Sequence, residues 1–190
     1  MTCIVGVIDK GKVYIGGDSA AISDEDLIYN IREDEKVFRK GEFIFGFSSS
    51  FRMGQILRFK FNPPKKTAKM DDFEYMVTRF IDELKKCFSD SDYHDFKDDG
   101  ASFLVGYNGK LYEILSDFQV GISSEGYATL GCGSEIASGA LYVCKDASGH
   151  DRVRVALEAA AHHSMGVRPP FKILSVGKEK TIARNRRKIQ

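Results

Sequence analysis

The first residue with chemistry to offer is Thr2, which directly follows the initiator methionine and opens a strand-like run from Met1 to Lys10. Threonine is small enough for methionine removal to be expected. Removal would leave an α-amine and a hydroxyl on one residue. A neutral amine can take the proton from its own residue's hydroxyl, so the pair is a complete nucleophile. Position alone says little, since most such threonines are chain ends. The residue matters if others downstream hold and tune its amine.

Two charged residues could do so. Asp18 stands at a strand end after Gly16 and Gly17, where the backbone can bend. Lys36 begins another strand. A lysine beside an N-terminal nucleophile favours the neutral amine and the deprotonated hydroxyl, because a cation disfavours further positive charge nearby. A carboxylate beside that lysine would fix it and keep it charged. Spacing alone favours plainer readings: Asp18 as a turn residue and Lys36 as one surface lysine among many. Cys3 should point to the opposite sheet face from Thr2 and reads as a small core residue. His162 and His163 are adjacent on a helix, so they point apart and suggest no zinc site. Cys3, Cys87, Cys132 and Cys144 lack zinc-type spacing and read as free thiols of a reducing cytosol.

The elements that must position these residues begin with two hairpins. Residues 2–9 and 12–17 join through Asp9–Lys12, and residues 36–38 and 43–47 turn at 39–42. The apolar run Leu27–Tyr29 lies between them. A short helix is predicted over 51–60, broken by Pro63 and Pro64. The clearest helix follows Asp71 and Asp72, with Phe73, Met76, Val77, Phe80, Ile81, Leu84 and Phe88 at helical spacing. That stripe reads as a core face. Residues 90–100 are acidic and loop-like. Strands return at 102–107 and 111–115 around the hairpin pair Asn108-Gly109, with shorter candidates at 119–122 and 127–130. Ser134 is expected to cap a helix running to about Lys145. An alanine-rich helix over 151–165 and a strand over 171–176 complete the order. Strand blocks alternating with helix pairs imply an α+β chain of two packed sheets with helices outside.

Composition sets the outer limits. A chain of 190 residues, 43% hydrophobic and 29% charged, fits a soluble single domain over 1–177. The formal net charge of +1 implies neither a nucleic-acid nor a membrane surface. The tail 178–190 is locally basic and reads as a solvated segment. No apolar run is long enough to span a bilayer, and no secretory signal opens the sequence.

Taken in order, Thr2–Val7, Val13–Asp18, Lys36-Val37 and Phe45–Ser49 resemble the opening of proteasome β-subunits and of their bacterial relative, the peptidase subunit HslV. The likeness continues at Leu130–Ser134 with Ala137, Ala140 and Leu141, and from Ala156-Leu157 through Phe171–Ile173. It covers nearly the whole chain except the middle loops and the basic tail. The resemblance implies the N-terminal nucleophile hydrolase fold, a four-layer αββα sandwich. It implies a threonine-type endopeptidase, with Thr2 as nucleophile, Lys36 tuning its ionisation, Asp18 holding Lys36 and the Ser49 N–H as oxyanion donor. The implied partners are polypeptide substrates, further copies of the chain in a homo-oligomeric ring and an ATPase unfoldase. No cofactor is required, but a structural Na+ or K+ would sit on the backbone carbonyls of Ala161, Ser164 and Val167.

Three positions depart from the family pattern. Ser49 replaces the usual glycine at the oxyanion position. Cys132 replaces the serine of a Gly-Ser-Gly bend, and a thiol is the weaker hydrogen-bonding partner. His162 aligns with an aspartate that normally completes the network around the amine. These changes motivate an alternative, a proteasome-like structural or assembly protein without peptidase activity. An amidohydrolase acting on a small amide would use the same chemistry.

Overall fold

Strand β1 (Ile4–Asp9) carries apolar residues on both faces, which requires cover on both sides. In the computed structural model, which describes residues 1–22, 29–96 and 100–177, two helices cover one face and a second sheet covers the other. β1 pairs with β2 (Lys12–Gly17) in the predicted hairpin. β3 (Ala20–Ile22) and β4 (Tyr29–Ile31) form a separate two-stranded ladder. Leu27 and Ile28, within the predicted apolar run, lie outside the described residues, as does the basic tail.

The remaining strands are β5 (Val37–Lys40), β6 (Phe43–Ser48), β7 (Ser102–Tyr107), β8 (Lys110–Ile114), β9 (Val120–Gly121), β10 (Tyr127–Leu130) and β11 (Lys172–Val176). The helices are α1 (Phe51–Phe59), α2 (Asp72–Tyr75), α3 (Ile81–Ser89), α4 (Ser134–Val143) and α5 (Gly149–His163). One sheet has the order β10-β1-β2-β11 and the other β5-β6-β7-β8-β9. All their ladders are antiparallel. Asn108 (φ 48°) and Gly109 (φ 77°) make the β7–β8 turn, whose two positive φ angles match the twist of the strands.

Three apolar clusters mark the layers. Ile4, Val13, Ile15, Val37, Ile44 and Leu104 pack between the sheets. Val5, Val7, Ala137, Leu141, Ala156 and Leu157 join the four-stranded sheet to α4 and α5. An aromatic cluster joins the five-stranded sheet to α1, α2 and α3. Phe80 sits at its centre, with Phe43, Phe45, Phe61 and Tyr75 ring centroids at 5.0–6.4 Å. The result is the four-layer αββα sandwich that the sequence implied.

Two details differ from the sequence reading. Phe73 and Val77 are exposed, and Tyr75 takes the buried place. The cause is a π-wound segment, Met76–Phe80, inserted between α2 and α3. Its wider turn shifts the helical phase, so a single 3.6-residue stripe cannot describe both sides of it. Ser134 is the first residue of α4 rather than its cap; Gly133 holds that position without a side-chain bond. Ser148 caps α5, for which the sequence reading named no cap, its hydroxyl accepting from Asp151 N at 3.2 Å.

Candidate active site

The site forms where the start of β1 meets the bend between β10 and α4. The Thr2 carbonyl accepts from Gly133 N at 3.3 Å, which draws the bend onto the strand. Gly131 lies at φ 88°, and a Cβ there would stand 2.2 Å from the Thr2 carbonyl oxygen. Only glycine fits such an approach. Thr2 is buried. Its nitrogen is a peptide N–H behind Met1 and donates to Cys132 Sγ at 3.4 Å. Its hydroxyl donates to the Met1 carbonyl at 2.6 Å.

Asp18 follows the end of β2 and is 2% exposed. Its carboxylate is saturated by four donors. Oδ1 accepts from Lys36 Nζ at 2.8 Å and from Cys3 N at 3.0 Å. Oδ2 accepts from Ala20 N at 3.0 Å and from Arg168 N at 3.4 Å. Lys36 is 3% exposed, and its ammonium also donates to the Ala20 carbonyl at 2.5 Å. One carboxylate oxygen therefore ties the lysine to the residue beside Thr2. A buried ion pair is tolerable only when its remaining lone pairs and protons are satisfied in this way.

Burial lowers the Lys36 pKa below its ordinary value, and the Asp18 carboxylate opposes that shift. Burial pushes the Cys3 thiol up to about 12. Together with its place in the helix-side cluster, this makes Cys3 an inert packing residue rather than a second nucleophile.

Ser49 follows β6 at φ 70°, a left-handed conformation that favours glycine. The sequence substitution is thus carried with backbone strain. Cys132 touches both ends of the Thr2 unit: its sulfur lies 3.5 Å from the Thr2 carbonyl oxygen as well as near the nitrogen. It also lies 3.8 Å from Ser164 Oγ. His162 is not brought to this cluster. Its ring is exposed and packs edge-on against His163 at 4.6 Å, so the two adjacent rings meet rather than point apart as expected. Ser164, just past the end of α5, contacts Cys132 on this side.

The carbonyls of Ala161, Ser164 and Val167 do converge, but on a side chain. Arg168 Nη1 donates to them at 3.3, 2.9 and 2.7 Å. A monovalent ion needs the same oxygens directly upon it, so Na+ or K+ does not fit this cradle with the guanidinium in place. Among the described residues, no group of three or more His, Cys, Asp or Glu side chains could hold a metal ion.

Arg168, the Ser164 hydroxyl and the Ala20 carbonyl were missed from sequence, Ser164 having been named only for its backbone carbonyl. The first left a signal: a basic residue just beyond a helix end can bond its last carbonyls. The other two act through loop geometry that no spacing reveals.

No protein-family model and no curated protein sequence matches the chain. Solved structures do. The Thiobacillus denitrificans BPH structure aligns with a TM-score of 0.74 at 16% identity, over 92% of this chain and 97% of that one. Eukaryotic HslV from Trypanosoma brucei aligns at 0.68 and 17% identity, over 93% and 99%. Anbu, an ancestral β-subunit from Yersinia bercovieri, aligns at 0.65 and 11% identity, over 92% and 81%. With two stacked antiparallel sheets between helical layers and full-length likeness to these structures, the chain has the proteasome-like N-terminal nucleophile hydrolase fold.

Proposed function

We propose that this chain is a threonine-type endopeptidase subunit, activated by loss of Met1 and working inside a ring of identical copies. The observation that carries the reading is the Asp18 carboxylate, which bridges the buried Lys36 ammonium to the backbone beside Thr2. Met1 is 42% exposed and accessible to a processing enzyme. Its carbonyl now holds the Thr2 hydroxyl, so its removal frees the hydroxyl and creates the amine in one step.

In the reaction, the amine takes the hydroxyl proton as Thr2 Oγ1 bonds to the scissile carbonyl carbon. The Ser49 N–H supports the charge that develops on the carbonyl oxygen. The C–N bond then breaks, the leaving amine takes the proton, and an ester remains on Thr2. Water, deprotonated by the same amine, hydrolyses the ester and restores the hydroxyl. Charged Lys36 keeps the amine neutral between steps. Cys132, whose sulfur accepts from the Thr2 nitrogen, orients the freed amine in this reading. The substrates are unfolded polypeptides, delivered by an ATPase partner.

Peptide hydrolysis by the purified chain is the test. Thr2→Ala should lower the rate by on the order of 10⁶-fold, the scale of removing a hydrolase nucleophile. A Thr2→Ala variant as active as the parent would defeat the proposal. A second reading, a proteasome-like structural or assembly protein, is favoured by the strained Ser49 and by the thiol at Cys132. Robust turnover of unfolded protein would rule it out.

A further inference from the structure

We propose that Arg168 is a tethered cation: its guanidinium fills the carbonyl cradle at the end of α5 and makes this part of the fold independent of free Na+ and K+. The inference goes beyond the peptidase reading and holds whether or not Thr2 is a nucleophile.

The cradle is built for positive charge. Ala161 lies in the last turn of α5, whose final carbonyls have no partner within the helix. The aligned peptide dipoles place partial negative charge at that end. Ser164 and Val167 add two carbonyls from the following turn, so three oxygens face one point. Nη1 carries two hydrogens. The bonds at 2.7 and 2.9 Å take one each, and the 3.3 Å contact to Ala161 shares one of them.

The same residue locks the cradle to the candidate active site. Its own N–H donates to Asp18 Oδ2 at 3.4 Å, and its carbonyl accepts from Ser19 N at 3.0 Å. The segment it closes carries Ser164, the contact of Cys132. Gly166 lies within the same segment, and a Cβ there would meet Cys132 Sγ and Met1. Arg168 is thus a positioning residue that replaces a diffusible ligand by a covalently attached one. Attachment removes the dependence on ion concentration that any bound ligand brings.

The test compares thermal midpoints of the parent chain, Arg168→Ala and Arg168→Lys in choline, sodium and potassium chloride at equal ionic strength. The parent should melt at the same temperature in all three. Arg168→Ala opens the cradle, so sodium or potassium should raise its midpoint above the choline value by about 3 °C or more, a shift readily resolved for a domain of this size. Arg168→Lys, with an ammonium in reach of the same carbonyls, should regain the cation-insensitive behaviour. Sodium NMR line widths give a readout that needs no unfolding: broadening that potassium relieves should appear with Arg168→Ala and not with the parent. The proposal is overturned if the parent itself is stabilised by sodium or potassium over choline, or broadens the sodium line. It is equally overturned if Arg168→Ala melts with the parent and ignores the cation. None of these readouts uses peptide hydrolysis, so this proposal and the peptidase reading fail separately.

Discussion

Asp18 and Lys36 form the most demanding interaction in the molecule, since neither side chain has access to water. Removing one partner strands the other. Asp18→Ala should cost about 3–5 kcal/mol, the range for breaking a buried pair. The double variant Asp18→Asn, Lys36→Met should cost less than Asp18→Ala alone, because no unpaired charge remains. Denaturant unfolding of the three chains checks this; equal losses would show that the pair is not coupled. The pair also sets a pH dependence. The Thr2 amine must be neutral and the Lys36 charge favours its neutral form, so the rate should rise with pH below the ordinary α-amino range of about 7.7–8.0. Lys36 must stay charged, and burial lowers its pKa, so the rate should fall again below the ordinary lysine value of about 10.4. For stability the sign is opposite. Between the lowered folded value and the unfolded one, the unfolded chain binds more protons, so this residue's contribution rises with pH. An alkaline limb of kcat/KM at or above the ordinary lysine value would contradict the assigned role.

At the scale of elements, most boundaries were legible because the local chemistry was strong. Asn108-Gly109 specified its hairpin, and Ser102–Tyr107 emerged as β7 within the same limits. The long helix was legible as an element but not in its facing, since the π-wound segment at Met76–Phe80 breaks the single period that a stripe assumes. The candidate site was partly legible. Thr2, Asp18, Lys36 and Cys132 were found from type and context, and the fold brings them together. His162 was drawn in by alignment along α5, yet its ring is exposed and packs against His163. Arg168 left only the general signal of a basic residue past a helix end, and its partners depend on where three backbone carbonyls point. The α5 start tests the local reasoning. Ser148→Ala removes the hydroxyl that accepts from Asp151 N and should cost about 1 kcal/mol of stability. No change in the unfolding midpoint would show that the cap carries no weight.

The fold places the candidate site where the start of β1, the β10–α4 bend and the α5 end converge. The interior between the sheets is an apolar cluster, and the buried Asp18–Lys36 pair is the charged group beside Thr2. Among the described residues, no helix is long and apolar enough to cross a membrane. The proposed ring makes its own prediction. Native mass spectrometry should show a closed assembly whose mass is a whole multiple of one chain. A monomer at every concentration would remove the ring from the account while leaving the chemistry at Thr2 to stand or fall alone.

That chemistry is tested most directly by the intact mass of the purified chain, before and after incubation with an electrophile selective for N-terminal threonine. The account predicts a chain lacking Met1 that gains one adduct, mapped to Thr2 and absent from Thr2→Ala. A chain that keeps Met1, or an adduct that persists in Thr2→Ala, would contradict it.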